Sequence, residues 1–194
     1  TQSFTGLHST DILKSYNTDV SEYVIGYTVG IEFEEDDLIY TEIMNEKKSY
    51  YGKYLYTDSD ASSFESYLAQ MGDYLADYEM KAYKKQRLIS FIGSAHNIVN
   101  SIENLNSNDT TSNLSKDKDI SKKYIDIENI KYKKNLKTGI VASYNILSTN
   151  SEINKDYGNL KYYFESMNNY HTVPVIISEL GIPSSRVANS FIEE

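Results

Sequence analysis

The chain has 194 residues, of which 40% are hydrophobic and 24% are charged, and its formal net charge is -9. This length and composition indicate one globular domain with a sizeable core and exclude wholesale disorder. The negative charge disfavours nucleic acids and anionic membranes as partners, because Lys and Arg supply most of the affinity for both.

The content of Cys and His limits the metal and redox chemistry that the chain can perform. Without cysteine there is no disulfide, no thiolate metal site and no cysteine nucleophile. The three histidines, His8, His96 and His171, are scattered, so a His-based metal centre would require all three to converge. We therefore predict no metal and no cofactor. No apolar run approaches the ~20 residues of a membrane helix, and the sequence leaves the compartment open.

The first half of the chain predicts two strands with a helix between them. Residues 1–20 are expected to be an extended polar lead-in. Residues 23–33 (YVIGYTVGIEF) predict a buried strand that opens into an acidic loop, and residues 87–92 (RLISFI) predict a second strand. Between them, Ser62 and Glu65 have the spacing of a capping box that starts a helix. The expected core face of that helix is Phe64, Tyr67, Leu68, Met71, Leu75, Tyr78 and Ala82.

The second half predicts two more strands and a second helix. Residues 104–123 have almost no apolar side chains and predict a mobile loop. Residues 139–144 (GIVASY) and 174–178 (PVIIS) predict strands, and an apolar stripe over 160–170 predicts a helix between them. Apolar strands that alternate with helices are typical of a parallel sheet covered on both faces, so the predicted fold class is α/β.

Two carboxylates occupy the positions where parallel α/β folds carry their chemistry. Glu179 directly follows the strand PVIIS, and Glu32 lies near the end of YVIGYTVGIEF. Loops at the carboxyl ends of parallel strands build the active site, and glycoside hydrolysis requires two carboxylates there. Acidic residues also end strands simply because they are solvated, so this pattern alone is a weak signal.

A resemblance to a known family strengthens the catalytic interpretation. Residues 174–186 (PVIISELGIPSSR) resemble the seventh-strand signature of a bacterial family of cellulase-like (β/α)₈-barrel glycoside hydrolases. Residues 16–33 resemble the family's fourth strand, 62–86 resemble its following helix, and 139–144 resemble its sixth strand. The resemblance implies a retaining mechanism in which Glu179 is the nucleophile and Glu32 is the acid/base.

The resemblance also implies roles for three further residues, and two more are candidates at a place where the sequence departs from the family. Tyr144 would hydrogen-bond the nucleophile or the sugar, although ordinary core packing is an equal alternative. Ser185 and Arg186 would brace the loop after the seventh strand, although Arg186 could simply pair with a C-terminal glutamate. His96 and Asn97 stand where the family has an Asn-Trp-Pro-Thr run, so the resemblance assigns them no role; they are candidates for a sugar contact, with an ordinary loop as the alternative. The implied partner is an oligo- or polysaccharide.

The fold expected from the resemblance is a (β/α)₈ TIM-barrel domain that is incomplete, because a full barrel takes ~250 residues and only four strands are visible. Residues 1–194 are therefore expected to be one partial domain, either a piece of a longer polypeptide or a truncated relative that cannot close. Two alternatives stay open. The chain could be a catalytically degenerate barrel that binds glycans, because the family's Trp-containing run is absent and the chain has no Trp. It could also be a structural module of a polysaccharide assembly.

Overall fold

A computed structural model of the chain describes residues 19–30, 33–45, 49–93, 125–147 and 157–181. In chain order its elements are β1 (Gly26–Val29), α1 (Glu35–Met44), β2 (Leu55–Thr57), α2 (Ser63–Ala82), β3 (Leu88–Ile92), β4 (Ile130–Tyr132), β5 (Ile140–Leu147), α3 (Tyr157–Tyr170) and β6 (Val175–Gly181). Two short 3₁₀ helices, Ser21–Tyr23 and Ile127–Asn129, precede β1 and β4. The predicted lead-in, except for its last two residues, and the predicted loop 104–123 lie outside the described residues.

Four strands form one parallel sheet in the order β1-β3-β5-β6. All three neighbouring pairs are parallel, and each strand lies beside the one that precedes it in this sheet along the chain. The strands β2 and β4 form a separate antiparallel pair. The predicted α/β class with a parallel sheet is confirmed, and within the described residues no sheet closes on itself.

The core lies between the sheet and α2. Alternate residues of β3 and β5 are buried on the face toward α2, among them Ile89, Phe91, Ile140 and Ala142. Phe91 packs directly against Gly72 of α2, where a Cβ atom would come within 2.5 Å of the Phe91 ring. On the opposite face of the same strands Ser90, Val141 and Ser143 are also buried. The central strands are therefore covered on both faces, which explains why their sequences are nearly free of charge.

Helix α2 begins with the capping box that the sequence predicted. The Ser62 hydroxyl accepts from the backbone N–H of Glu65, and the Glu65 carboxylate accepts from the N–H of Ser62. The predicted core face is only partly right, because Tyr67, Met71 and Ala82 are exposed. The buried face instead follows Phe64, Leu68, Ala69, Gly72, Ala76 and Glu79. Small residues form its centre because they let the helix lie close to Phe91.

The sequence prediction was wrong about the neighbourhood of the first strand. The strand ends at Val29 rather than at residue 33, because Gly30 adopts a left-handed backbone with φ of +101°. The acidic run after it forms the start of α1 rather than a loop, and Leu38 of that helix joins the core. The small strands β2 and β4 were not predicted.

A buried ion pair ties the base of α2 to β3 and to the segment before β1. Glu79 near the end of α2 pairs with Arg87, and both side chains are almost fully buried. The Arg87 guanidinium also donates to the carbonyl oxygens of Val24, at 2.8 Å, and Ser21. The Tyr27 hydroxyl of β1 donates to Glu79 at 2.7 Å. Every one of these donors and acceptors therefore has a partner despite burial.

Candidate functional site

Glu179 lies inside the last strand of the parallel sheet rather than directly after it. Strand β6 continues to Gly181, and Glu179 pairs in register with Asn145 of β5. The register shifts by one residue immediately before this pair, so Ser178 is an additional residue in β6. Such bulges re-aim the following side chain and are frequent beside functional sites. The Glu179 side chain is exposed.

Neutral hydrogen-bonding groups surround the bulge. The Ser178 hydroxyl lies 2.8 Å from the Ser143 hydroxyl, 2.8 Å from the Asn145 side-chain oxygen and 3.1 Å from the Tyr144 carbonyl oxygen. These contacts fix the backbone from which the Glu179 side chain projects. Within the four described strands of the parallel sheet, Glu179 is the only carboxylate.

The structure places Tyr144 in the hydrophobic core, which is the alternative that the sequence left open. Its ring packs against Gly93, and its hydroxyl lies 2.7 Å from the His171 Nε2 atom. Only 1% of the side chain is exposed. The role beside a sugar that the resemblance implies would require a ligand to reach this buried ring.

The remaining predicted site residues are not placed. Glu32, His96, Asn97, Ser185 and Arg186 all lie outside the described residues. In the sequence, Glu32 lies between the last residue of β1 and the first residue of α1. The separation of the Glu32 and Glu179 carboxyl groups, which would distinguish a retaining from an inverting site, stays a prediction.

Tyr144 belongs to a buried hydroxyl–imidazole–carboxylate chain. His171 follows α3, and its Nδ1 atom lies 2.9 Å from the Glu128 carboxylate. Because a carboxylate only accepts, Nδ1 carries the proton, and in neutral His171 the Nε2 atom accepts from the Tyr144 hydroxyl. Glu128 also accepts from the backbone N–H and the hydroxyl of Thr172, at 2.9 and 2.7 Å.

Electrostatics and burial together indicate a structural role for the hydrogen-bonded side chains of Tyr144, His171 and Glu128. Burial acts most strongly on Glu128 and raises its pKa, but hydrogen bonds from Thr172 and His171 and the charge of Lys131 more than offset it. The pKa of Glu128 is therefore below its usual value. The His171 side chain has no exposed area. The row of Tyr144, His171 and Glu128 therefore resembles a catalytic relay in composition but offers no surface to a substrate. It braces β5 against α3.

Glu65 is another buried carboxylate, and its sequence spacing identified it only as part of a helix cap. Besides the N–H of Ser62, it accepts from the N–H of Asp126 at 2.6 Å and from the Asn129 amide at 2.9 Å. Burial raises the pKa of Glu65 to about 7, although these hydrogen bonds favour the charged form. Asp126 and Asn129 lie more than 60 residues further along the chain, so no local pattern could have identified them as partners.

A cavity of about 500 Å³ lies between α1 and the first two turns of α2. Its described walls are uncharged and combine three aromatic rings with hydroxyl and amide groups: Thr41, Asn45, Ser49, Tyr50, Ser63, Phe64, Ser66, Tyr67 and Gln70. No local sequence pattern marks this region, because its residues come from three separate segments.

The described residues contain no candidate metal site and no candidate membrane-spanning helix. No group of three or more His, Asp or Glu side chains converges there in a way that would hold a metal ion. None of the described helices has both the length and the apolar character needed to cross a bilayer.

No family model, no curated protein and no solved structure matches the chain.

Proposed function

We propose that the parallel sheet is an arc of a (β/α)₈-type barrel and that the domain is a retaining glycoside hydrolase. The observation that carries the proposal is the position of Glu179, an exposed carboxylate near the carboxyl end of a parallel strand, directly after a bulge. The ascending strand order supports the barrel, because barrel strands follow one another around the sheet. A doubly wound sheet would instead reverse its order at a switch point.

The proposed reaction uses two carboxylates in two steps. Glu179 attacks the anomeric carbon, the bond from that carbon to the leaving oxygen breaks, and Glu32 gives its proton to that oxygen. Water then attacks the same carbon while Glu32 takes a proton from it, and Glu179 is released. Asn145 and Ser178 hold the strand that carries the nucleophile.

Curvature of the sheet is a requirement of this mechanism. Strands β1 and β6 are three positions apart, which would separate them by about 14 Å in a flat sheet. Retention requires carboxyl groups about 5–5.5 Å apart. Side chains on strands of a closed barrel converge over its mouth, so the barrel and the retaining mechanism depend on each other.

A second candidate is a domain that binds glycans without cleaving them. It is favoured by the absence of any other carboxylate in the described strands of the parallel sheet. This candidate shares the saccharide with the first one but gives Glu179 no role in bond breaking.

Covalent trapping distinguishes these two candidates. The chain is incubated with 2,4-dinitrophenyl 2-deoxy-2-fluoro-β-glucoside and with the corresponding cellobioside, and its intact mass is measured. We expect a stoichiometric mass increase that peptide mapping assigns to Glu179 and that Glu179→Gln lacks. If no adduct forms and no oligosaccharide is hydrolysed, the hydrolase proposal is wrong and the binding candidate replaces it.

A further inference from the structure

The cavity between α1 and α2 is separate from the proposed catalytic edge. It adjoins the helices that follow β1, whereas Glu179 lies on β6 at the other end of the described strand order. None of its described walls comes from β6 or from another strand of the parallel sheet. Its volume of about 500 Å³ falls within the range of ~300–1,000 Å³ that is typical of small-molecule sites.

Local contacts fix the shape of the cavity. The Glu42 carboxylate of α1 binds both the backbone N–H and the hydroxyl of Ser63 at the start of α2. The ring of Phe64 packs edge-on against Phe33 at a centroid distance of 4.6 Å. Tyr50 is held from behind by a hydrogen bond from its N–H to the Thr57 hydroxyl at 2.8 Å. The walls are therefore positioned before any ligand enters.

Three polar side chains on the wall have no hydrogen-bond partner in the described part of the chain. They are the Ser49 hydroxyl, the Tyr67 hydroxyl and the Gln70 amide. Tyr67 and Gln70 lie one turn apart on α2, so they share the face that borders the cavity. Both a donor and an acceptor are thus available beside an aromatic ring.

The Tyr67 ring is the exposed aromatic surface of this site. Half of its area is accessible, and Phe64 supports it from below in an edge-on contact at 5.9 Å. An aromatic face of this kind stacks on the C–H groups of a sugar ring, while neighbouring hydroxyl and amide groups bind the sugar hydroxyls. The hydroxyl, amide and aromatic groups of the described walls suit a neutral polar ligand.

We propose that this cavity is an accessory binding site for a short stretch of a neutral glycan, with Tyr67 as its stacking platform and Gln70 and Ser49 as its hydrogen-bonding groups. The choice of a saccharide over another neutral polar molecule rests on the proposed function. The position of the site and the uncharged, aromatic character of its described walls are independent of that proposed function. The site would hold a polysaccharide at a distance from the catalytic edge.

Titration calorimetry of the whole chain with cellohexaose, xylohexaose and mannohexaose tests the proposal, with hexagalacturonic acid as the anionic comparison. We expect at least one neutral hexasaccharide to bind and the anionic one to bind more weakly. Tyr67→Ala should weaken binding about tenfold, through loss of the stacking contact, and Gln70→Ala should weaken it about fivefold. Tyr67→Phe should bind with an affinity close to that of the parent, because it keeps the aromatic ring.

Tyr74→Ala is the matched control, because Tyr74 is a more exposed tyrosine on the same helix and does not line the cavity. Circular dichroism verifies that each variant is folded. The proposal is overturned if no neutral hexasaccharide binds, or if Tyr67→Ala and Tyr74→Ala change the affinity equally.

Failure of this proposal and failure of the hydrolase proposal have different signatures. Glu179→Gln should abolish covalent trapping and leave the Tyr67-dependent affinity unchanged. Tyr67-dependent binding without any trapping would refute the hydrolase and retain the accessory site. If Glu179 is trapped but Tyr67→Ala leaves the affinity unchanged, the accessory site is refuted and the hydrolase is retained.

Discussion

The charged residues at the base of α2, near its C-terminal end, are buried, whereas the charged residue on the edge strand β6 is exposed. At the base of α2, Glu79 and Arg87 are buried and every contact they make is internal. On β6, Glu179 is exposed and the neutral groups around it hold only the backbone. One region therefore has polar groups that maintain the fold, and the other presents a carboxylate to solvent. Substitutions in the two regions should therefore affect different measurements.

The largest expected loss of stability comes from breaking the buried pair. Arg87→Ala should lower the free energy of unfolding by about 3–5 kcal/mol, because it leaves the Glu79 carboxylate buried without its partner. Urea unfolding followed by circular dichroism measures this change. Lys81→Ala is the control, since Lys81 forms an exposed pair with Asp77 that contributes less than about 1 kcal/mol. Equal effects of the two substitutions would contradict the burial of Arg87.

Glu65 should make stability depend on pH near neutrality. Its pKa is about 7 in the fold, above the ordinary glutamate value of 4.5. Its contribution to stability is therefore fully present below pH 4.5 and is lost as the pH rises through 7. Between pH 5 and pH 8 the folded chain should lose on the order of 2 kcal/mol from this group. Urea unfolding at both pH values measures the loss.

The comparison variant for this pH dependence is Glu65→Ala. Its stability should be lower than that of the parent at both pH values, because three N–H donors lose their acceptor. The gap between the two proteins should be wider at pH 5 than at pH 8. Asp77 and Glu128 have lowered pKa values and titrate below this window, so they do not interfere. A stability gap that widens toward pH 8 would contradict the upward direction of the Glu65 pKa shift.

Gly72 tests how closely α2 approaches the sheet. Alanine favours a helix by about 1 kcal/mol over glycine, but a Cβ here would lie 2.5 Å from the Phe91 ring and 2.8 Å from a methyl group of Leu55. Overpacking of this kind costs about 1–3 kcal/mol, so we expect Gly72→Ala to lower the melting temperature. Gln70→Ala, on the exposed side of the same turn, should leave it nearly unchanged. A Gly72→Ala variant that melts above the parent would show that the contact is loose.

The smallest expected effect on stability lies at the proposed nucleophile. Glu179→Gln should change the free energy of unfolding by less than about 0.5 kcal/mol, because its side chain is exposed. The same substitution should abolish covalent trapping. Thermal melting of the variant beside the parent checks the first expectation. A large loss of stability would mean that Glu179 holds the fold together and would weaken its assignment to catalysis.

The sequence by itself determined the elements whose signals are local. Ser62 and Glu65 lie three residues apart, so the start of α2 could be predicted from their spacing, and the apolar runs of β3, β5 and β6 identified a parallel sheet. The position of Glu179 near a strand end was also predictable, although β6 extends past it. These features depend on neighbours within a few residues, which a single sequence displays directly.

Only the tertiary structure decided which residues meet over long separations. Tyr67 and Met71 fit a helical stripe equally well, but the close approach of Gly72 to Phe91 rotates α2 so that they face solvent. Glu65 meets Asp126, Arg87 meets Ser21, and Tyr144 meets His171 because the sheet and helices pack, not because of any pattern along the chain. The cavity beside Tyr67 arises in the same way, since its walls come from three segments that packing brings together. Burial and partner choice depend on this packing geometry, which hydrophobic periodicity does not encode.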